Sequence, residues 1–240
     1  LEEEKACRSW ARQIIVIDDL ADRRHDCDIL IDPGACRSRE DYAGLVPNDC
    51  TELLGPAYLA LRSNFATLRR RIIPRKISCS AGRILVSLGA MPSANVLNFV
   101  FSALEGIKLC QIDLAVSSEA LGDWNIPDWP HLELHTDTPD MAKLIASADI
   151  AIGACGISTW ERCCLGLPSL LLVVADNQRP NAANMSDAGA ALIANLDDET
   201  SSFREKIELL LEAHTMRESM SLRAARMCDG LGARRIAAAV

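Results

Sequence analysis

The chain has 240 residues, of which 49% are hydrophobic and 24% charged, and its formal net charge is −8 at pH 7. These values are typical of a globular protein with one large or two modest domains, and they exclude a disordered chain. Basic residues are scattered apart from the arginines at 69–71, so a nucleic-acid partner is not predicted. The longest apolar run, around LLLVVA, is far shorter than a membrane span, so no membrane partner is predicted.

The ten cysteines do not predict a disulfide or metal framework. No CxxC pair occurs, and most cysteines lie in apolar runs, where cysteine acts as a small hydrophobe. The first residues, LEEEKACRSW, are acidic where a signal peptide would be basic. We therefore expect a cytoplasmic protein with reduced thiols, no metal and no other cofactor. Because residue 1 is Leu, we also expect a fragment of a longer protein.

Short apolar runs, typical of buried parallel strands, recur along the chain. They are Ile14–Asp18, Cys27–Asp32, Arg83–Gly89, Gln111–Ser117, Ala148–Ala154 and Ser169–Ala175. Helical stretches lie between or after the later strands, at Ala94–Gly106, Asp140–Ser147, Ser158–Leu165 and Gln178–Ala188. This alternation predicts right-handed βαβ units and a doubly wound α/β sheet.

A composition change in RRRIIPRKISCSAG (69–82) suggests two domains, because Pro, Ser, Gly and clustered charge precede a new strand. We predict a linker at 73–82 between two Rossmann-like parallel-sheet domains. Residues 1–72 supply few strands, so we interpret them as the C-terminal part of an incomplete N-terminal domain. Residues 83–228 form the second, ligand-binding domain, and 229–240 form a C-terminal helix.

The strand-to-helix turn in GACGISTWERCCLGLP (153–168) is the main candidate site. A glycine-rich turn after a parallel strand presents N–H groups where phosphates bind. Ser158 and Glu161 have the spacing of a capping box, and Glu161 could equally accept hydrogen bonds from a ligand's hydroxyl groups. One helix face, which we expect to be the packed one, carries Trp160, Cys163, Cys164 and Leu167.

Polar residues also follow the next predicted strand, in VVADNQRPNAANM. Asp176, Asn177 and Gln178 stand beside the phosphate turn at the carboxyl edge of the sheet, so we favour a binding role over a capped turn. The turn at Ser87–Asn95 is a weaker phosphate loop, where Ser93 or Asn95 is expected to act as a plain helix cap.

The four histidines predict neither a catalytic group nor a metal site. HLELH (His131–His135) has the alternation of a strand, which would separate the two imidazoles by roughly 13 Å, too far for one metal ion. His25, in DDLADRRHDCD, is interpreted as an exposed loop residue.

Four segments, in this order, resemble the hydrolases of pseudaminic acid synthesis: VIDDLADRRHDCDILID, LLGPAYLALRSNF, ADIAIGACGISTWERCCLGLPSLLLVVADNQ and DGLGARRIAAAV. Those enzymes release UDP from UDP-2,4-diacetamido-2,4,6-trideoxy-β-L-altropyranose. They are similar to the two-domain GT-B glycosyltransferases that use UDP-sugars, so the resemblance implies a GT-B-like fold and a UDP-sugar substrate.

The resemblance implies six substrate-binding residues: Gly156, Ser158, Thr159, Glu161, Asn177 and Gln178. The first three would meet the diphosphate, the fourth the ribose hydroxyls, and the last two the sugar. No metal is implied, because main-chain amides would carry the phosphate charge.

The chain departs from the family in its catalytic motifs. The family's catalytic histidine lies in a G-x-G-H-x-x-R loop and an active-site tyrosine in a D-H-Y segment, and neither motif is present. The family's G-G-x-D-P turn reads GAMPS here. We expect a hydrolase of a UDP-linked diacetamido-trideoxy sugar whose general base is not among these residues. The alternatives are a GT-B glycosyltransferase using a UDP-amino sugar and a non-catalytic UDP-sugar-binding fragment.

Overall fold

The structure is a computed structural model that describes residues 1–89, 91–107, 111–119 and 124–240. It divides into two compact units, one formed by Leu1–Ser63 with Asp229–Val240 and the other by Asn64–Cys228. All pairs of neighbouring strands in the described residues are parallel. The predicted α/β class with parallel sheets is confirmed.

The strands of the described residues are β1 (Ile15–Ile17), β2 (Ile29–Asp32), β3 (Thr51–Leu54), β4 (Arg83–Ser87), β5 (Gln111–Val116), β6 (Leu132–Thr136), β7 (Ile150–Ala154), β8 (Ser169–Val173) and β9 (Leu192–Asn195). The α-helices are α1 (Glu2–Cys7), α2 (Ser63–Ile72), α3 (Ala94–Leu104), α4 (Met141–Ser147), α5 (Ser158–Cys164), α6 (Arg179–Asp187), α7 (Thr200–Glu212), α8 (His214–Met227) and α9 (Gly232–Ala239).

The first unit is built on a 3-stranded sheet with the order β1-β2-β3. β2 is buried along its whole length, whereas the edge strand β1 exposes Ile15 and Ile17. The predicted C-terminal helix is α9, and its Ile236 packs against Ile29, Ile31 and Leu53 of this sheet. The C-terminal helix α9 therefore contributes to the hydrophobic core of the first unit.

The second unit is built on a 6-stranded sheet with the order β6-β5-β4-β7-β8-β9. Numbered from β4, the order is 3-2-1-4-5-6, in which the direction of winding reverses between β4 and β7. The helices α3 and α7 cover one face, where Val100 and Phe203 join Ile84 and Ile152 in one core. The central strands are buried on both faces, and this is why they are almost uninterrupted apolar runs.

The boundary between the units differs from the predicted linker at 73–82, because the chain joins the second unit from Asn64 onward. The segment 64–82 begins with α2, in which Arg69 donates hydrogen bonds to the main-chain oxygens of Cys164 and Ala225, both at 2.6 Å. Helix ends leave such oxygens without partners inside the helix. Arg69 therefore ties α2 to the ends of α5 and α8.

Two further arginines hold helix ends in the second unit. Arg75 donates to the main-chain oxygens of Ile145 at 3.1 Å and Leu165 at 3.2 Å, near the ends of α4 and α5. Burial lowers the pKa of Arg75 to about 10, so it stays charged at neutral pH. Arg217 donates to the oxygen of Leu210 at 2.7 Å, near the end of α7. The clustered charge that suggested a linker thus includes cations that hold the second unit together.

Elements that the sequence did not predict are short or highly charged. β3 and β9 have 4 residues each, too few for a clear alternation. α1 and α2 carry runs of like charge, and the arginines of α2 resembled a loop. At the turn Ser87–Asn95 the prediction of a plain cap is confirmed, because Ser93 accepts a hydrogen bond from the amide of Val96 at 3.4 Å. Ala90 of that turn lies outside the described residues.

A buried polar network joins β1, β2 and the segment after them in the first unit. The hydroxyl of Tyr42 lies 2.9 Å from Oδ2 of Asp18 and 2.7 Å from Oδ2 of Asp32, and all three residues are buried. Nε of Arg37 pairs with the same oxygen of Asp32 at 2.7 Å. The polar side chains at the carboxyl ends of β1 and β2 are therefore held by a tyrosine and an arginine.

His25 belongs to this network, so the expectation of an exposed loop residue is wrong. Its side chain is 0% exposed, Nδ1 lies 2.8 Å from Oε1 of Glu4, and Nε2 lies 3.9 Å from Oδ2 of Asp18. Burial acts to raise the pKa of Asp18, but hydrogen bonds from Ala21 and Tyr42 lower it overall. Local charge suggested an exposed loop, whereas pairing with distant residues buries it.

We predict that Tyr42→Phe lowers the free energy of unfolding by about 1–3 kcal/mol at pH 7, because buried carboxylates lose a donor. The folded-state pKa of Asp18 lies below its ordinary 3.8, so this stabilisation is present at neutral pH and is lost as the pH falls through that lower value. Urea denaturation at pH 7 and at a series of pH values below 3.8 should show the difference between variant and parent shrinking as the pH falls. The matched control is Tyr58→Phe, since Tyr58 is only half-buried. Equal effects of the two substitutions would contradict the prediction.

Candidate functional site

A cleft of about 360 Å³ lies at the carboxyl edge of the 6-stranded sheet. It is lined by residues at or just after the carboxyl ends of β4, β5 and β6, and by residues of the first turns of α4 and α5. The polar side chains that line it are Ser87, Ser117, Asp137, Thr138, Ser158 and Glu161. This is the edge at which the strand order reverses, where open α/β sheets bind their ligands.

The turn between β7 and α5 brings Ser158 and Glu161 to the cleft, but not as a capping box. The N-cap residue of α5 is Ile157, which forms no side-chain capping hydrogen bond. Ser158 is the first helical residue, so the predicted capping role of Ser158 and Glu161 is wrong. Both side chains line the cleft instead. Among the described residues, the amides of Gly156 and Ser158 have no backbone acceptor.

The amide and the hydroxyl of Thr159 both donate hydrogen bonds within the turn. It is 2% exposed, its amide donates to the oxygen of Gly156 at 3.0 Å, and its hydroxyl donates to the oxygen of Ala154 at 3.2 Å. It therefore lies beneath the turn rather than at the cleft surface. The expectation that it meets a diphosphate directly does not agree with this position.

Asn177 and Gln178 lie beyond the next strand and are not among the residues that line the cleft. They belong to a short 3-10 helix at Asp176–Gln178 after β8, where Asn177 is exposed. Oε1 of Gln178 accepts a hydrogen bond from the amide of Val174 at 3.3 Å. The structure thus brings Ser158 and Glu161 together and leaves these two outside the cleft.

Asp137 is a cleft residue that the sequence did not single out. Its φ is +46°, in the left-handed region that is costly for residues other than glycine. Its carboxylate accepts a hydrogen bond from the amide of Ser118 at 3.1 Å, and hydrogen bonds from the side chain and amide of Ser118 lower its pKa. Asp137 is therefore an ionised acceptor at neutral pH. No local sequence pattern reveals it, because its position depends on where β6 ends.

The cysteines of α5 pack into the core, as predicted. The exposed fractions of Trp160, Cys163, Cys164 and Leu167 are 4%, 4%, 0% and 1%. Sγ of Cys163 lies 3.8 Å from Sδ of Met185, and burial raises the pKa of the Cys163 thiol to about 12. These thiols are hydrophobic packing groups rather than ligands.

One group of side chains has the spacing of a metal site, but its buried carboxylate, Asp113, already forms a salt bridge with an arginine. Donor atoms of Asp113, Glu133 and His135 lie within 4.8 Å of one another. Nε of Arg83 lies 2.5 Å from Asp113 Oδ2, and Nε2 of His135 lies 2.8 Å from Oδ1. His135 is therefore paired across the sheet, within the strand that its alternation predicted.

Arg162 is the second residue that sequence reasoning missed. It is 1% exposed, and its guanidinium donates to the main-chain oxygen of Ala154 at 2.8 Å, to Oγ of Ser158 at 3.2 Å and to Oγ1 of Thr159 at 3.2 Å. The spacing of Arg162 from Ser158 and Thr159, i+4 and i+3, is a signal that could have identified it.

Comparison with known proteins shows what the chain is similar to. Residues 124–236 match the glycosyltransferase family 28 C-terminal domain. The spore coat polysaccharide biosynthesis protein SpsG of Bacillus subtilis (strain 168) is 28% identical over 195 residues, which cover 77% of this chain and 56% of SpsG. MurG of Acinetobacter baumannii has a TM-score of 0.60 at 15% identity, over 88% of this chain and 65% of MurG. WaaG, a glycosyltransferase involved in lipopolysaccharide biosynthesis, has a TM-score of 0.55 at 14% identity, over 99% of this chain and 80% of WaaG.

The chain has a GT-B-like fold. The prediction of a nucleotide-sugar hydrolase is wrong, because the domain family that matches residues 124–236 is one of glycosyltransferases, which transfer sugars rather than hydrolyse them. The chain spans little more than half of the length of SpsG. Within the described residues, no helix combines the length and the apolar character needed to cross a bilayer.

We predict that Gly153→Ala destabilises the second unit, because the added Cβ would lie 2.4 Å from Nη1 of the buried Arg162. Overpacking of this kind costs about 1–3 kcal/mol. The matched control is Gly156→Ala, three residues along the same turn, where the added Cβ would meet no heavy atom within 4 Å. Differential scanning calorimetry should give a lower melting temperature for Gly153→Ala alone. Equal melting temperatures for the two variants would refute the close contact.

Proposed function

We propose that the second unit binds a UDP-sugar in the cleft and serves as the donor-binding part of a glycosyltransferase. The observation that carries the proposal is the position of Ser158 and Glu161. Both line a cleft where the strand order reverses, and both lie within the residues that match the glycosyltransferase family 28 C-terminal domain. A cleft of about 360 Å³ is within the range of small-molecule sites, about 300–1,000 Å³.

The chemistry of the lining suits a ligand with many hydroxyl groups. Two of the residues that line the cleft, Asp137 and Glu161, carry carboxylates, and four carry hydroxyl groups: Ser87, Ser117, Thr138 and Ser158. Carboxylates accept strong hydrogen bonds from hydroxyl donors. A UDP-sugar offers such donors on its ribose and on its sugar, and Glu161 is the acceptor that we assign to the ribose.

In the proposed reaction a hydroxyl oxygen of the acceptor forms a bond to the anomeric carbon of the donor sugar, and the bond from that carbon to the UDP oxygen breaks. The acceptor's proton passes to a base, and UDP leaves with the bonding electron pair. We assign the second unit the task of binding and orienting the nucleotide. Such positioning is itself a large part of catalysis in group transfer.

The proposal is tested with the chain alone, by isothermal titration calorimetry with UDP, ADP and uridine. We expect UDP to bind more tightly than the other two. Absence of heat with UDP, together with an unchanged melting temperature in its presence, would refute the proposed site. Transfer is tested by incubation with UDP-N-acetylglucosamine and candidate sugar acceptors. UDP release that does not depend on any acceptor would contradict a transferase.

We predict that Glu161→Gln weakens UDP binding about tenfold, because an amide replaces a charged acceptor of the ribose hydroxyls. The loss should be much smaller with 2′-deoxy-UDP, which lacks one of those hydroxyls. Glu205→Gln on the exposed side of α7 is the control of equal charge change and should leave the affinity unchanged. Equal losses of affinity for UDP and 2′-deoxy-UDP would show that Glu161 does not bind the ribose hydroxyls.

A further inference from the structure

Arg162 carries a positive charge into the interior of the second unit without forming a salt bridge there. It is 1% exposed, and among the described residues no carboxylate lies within salt-bridge distance of its guanidinium, although the negative charge of the neighbouring Glu161 acts to raise its pKa. Its Nε has no hydrogen-bond partner among these residues. Burial outweighs the attraction of Glu161 and lowers the pKa of Arg162 overall. Burying a charge without a salt bridge is costly, so such a group points to a further compensating charge that arrives with a ligand.

The hydrogen bonds of Arg162 fix the direction of one hydroxyl at the cleft. A guanidinium donates and never accepts, so Oγ of Ser158 must be the acceptor in its 3.2 Å contact with Nη1. The hydrogen of the Ser158 hydroxyl therefore points away from Arg162, and it has no acceptor among the described residues. The neighbouring Thr159 hydroxyl differs, because it donates to Ala154 and is buried beneath the turn.

The cleft needs a source of positive potential if it binds an anion. No Lys or Arg is among the described residues that line it, whereas Asp137 and Glu161 add negative charge. Arg162 lies one hydrogen bond behind the lining, through Ser158. The guanidinium polarises the Ser158 hydroxyl and makes it a better donor to an anion.

We propose that Arg162 is a positioning residue for the diphosphate of the donor, which it serves by aiming the Ser158 hydroxyl into the cleft and by placing a buried positive charge behind it. This inference rests on the proposed function, since it assigns a role within the same site. Arg162 itself does not touch the ligand.

The competing explanation is that Arg162 only ties β7 to α5. A structural tie would affect every ligand of the cleft alike, whereas the proposed role concerns only the phosphates. The test therefore compares UDP, titrated by calorimetry, with uridine, titrated by NMR at millimolar concentration. The ratio of the two dissociation constants is the readout, in the parent chain and in Arg162→Met, Arg162→Lys, Ser158→Ala and the Arg162→Met/Ser158→Ala double variant.

We expect Arg162→Met and Ser158→Ala each to weaken UDP binding about tenfold relative to uridine, and Arg162→Lys to restore part of the loss. The double variant should lose little more than Arg162→Met alone, because both changes remove one coupled interaction. Equal weakening of UDP and uridine by Arg162→Met would overturn the inference in favour of a structural tie.

Two further outcomes keep the proposals separate. If Arg162→Met does not fold, Ser158→Ala and Arg162→Lys decide, and an unchanged UDP-to-uridine ratio in Ser158→Ala overturns the inference. If the parent chain binds neither ligand, the proposed function fails and the role of Arg162 fails with it. If only the role of Arg162 is refuted, the parent chain still binds UDP more tightly than uridine.

Discussion

Hydrogen bonds from guanidinium groups to main-chain oxygens organise the second unit. Arg69, Arg75 and Arg217 each donate to carbonyls near the ends of helices, where the helix itself leaves acceptors without partners. Arg162 does the same at the end of β7. In the described residues the hydrogen bonds of these cations go to main-chain and hydroxyl oxygens and not to carboxylates. The arrangement of the helices around the sheet is therefore fixed by polar contacts as well as by the core.

The cleft is a consequence of sheet topology, and its chemistry is a consequence of where individual strands end. The reversal of winding between β4 and β7 opens the crevice. The end of β6 places Asp137 there with strained backbone, and the start of α5 supplies Ser158 and Glu161. The carboxylates of Asp137 and Glu161 would repel an anion unless positive charge lay nearby, and the role proposed for Arg162 supplies that charge.

The parallel sheet and the inward face of α5 could be predicted from the sequence because both depend on local periodicity. Central strands such as β7 are apolar throughout, and Cys163 and Cys164 fall at helical spacing from Trp160. Features that depend on distant partners could not be predicted this way. His25 lies in a charged segment yet is buried against Glu4, and Arg75 lies beside a proline yet holds the ends of two helices.

The candidate site was predicted only in part, for the same reason. The turn at Gly156 and the residues Ser158 and Glu161 follow from a glycine-rich strand end, which is a local pattern. The positions of Asn177 and Gln178 depend on the direction the chain takes after β8, which no short motif determines. The reaction class was taken from a resemblance of segments, and the match to a transferase domain over 124–236 corrected it.

The inward-facing thiols of α5 provide a measure of how often the second unit opens. Cys163 and Cys164 are buried in the core, whereas Cys36 and Cys79 are exposed. A thiol reagent therefore modifies the exposed cysteines directly but reaches α5 only when the helix separates from the sheet. Since burial also raises the pKa of the Cys163 thiol, its alkylation requires both opening and deprotonation. The rate of labelling at Cys163 and Cys164, read by peptide mass spectrometry, then reports the opening of the core that supports the cleft.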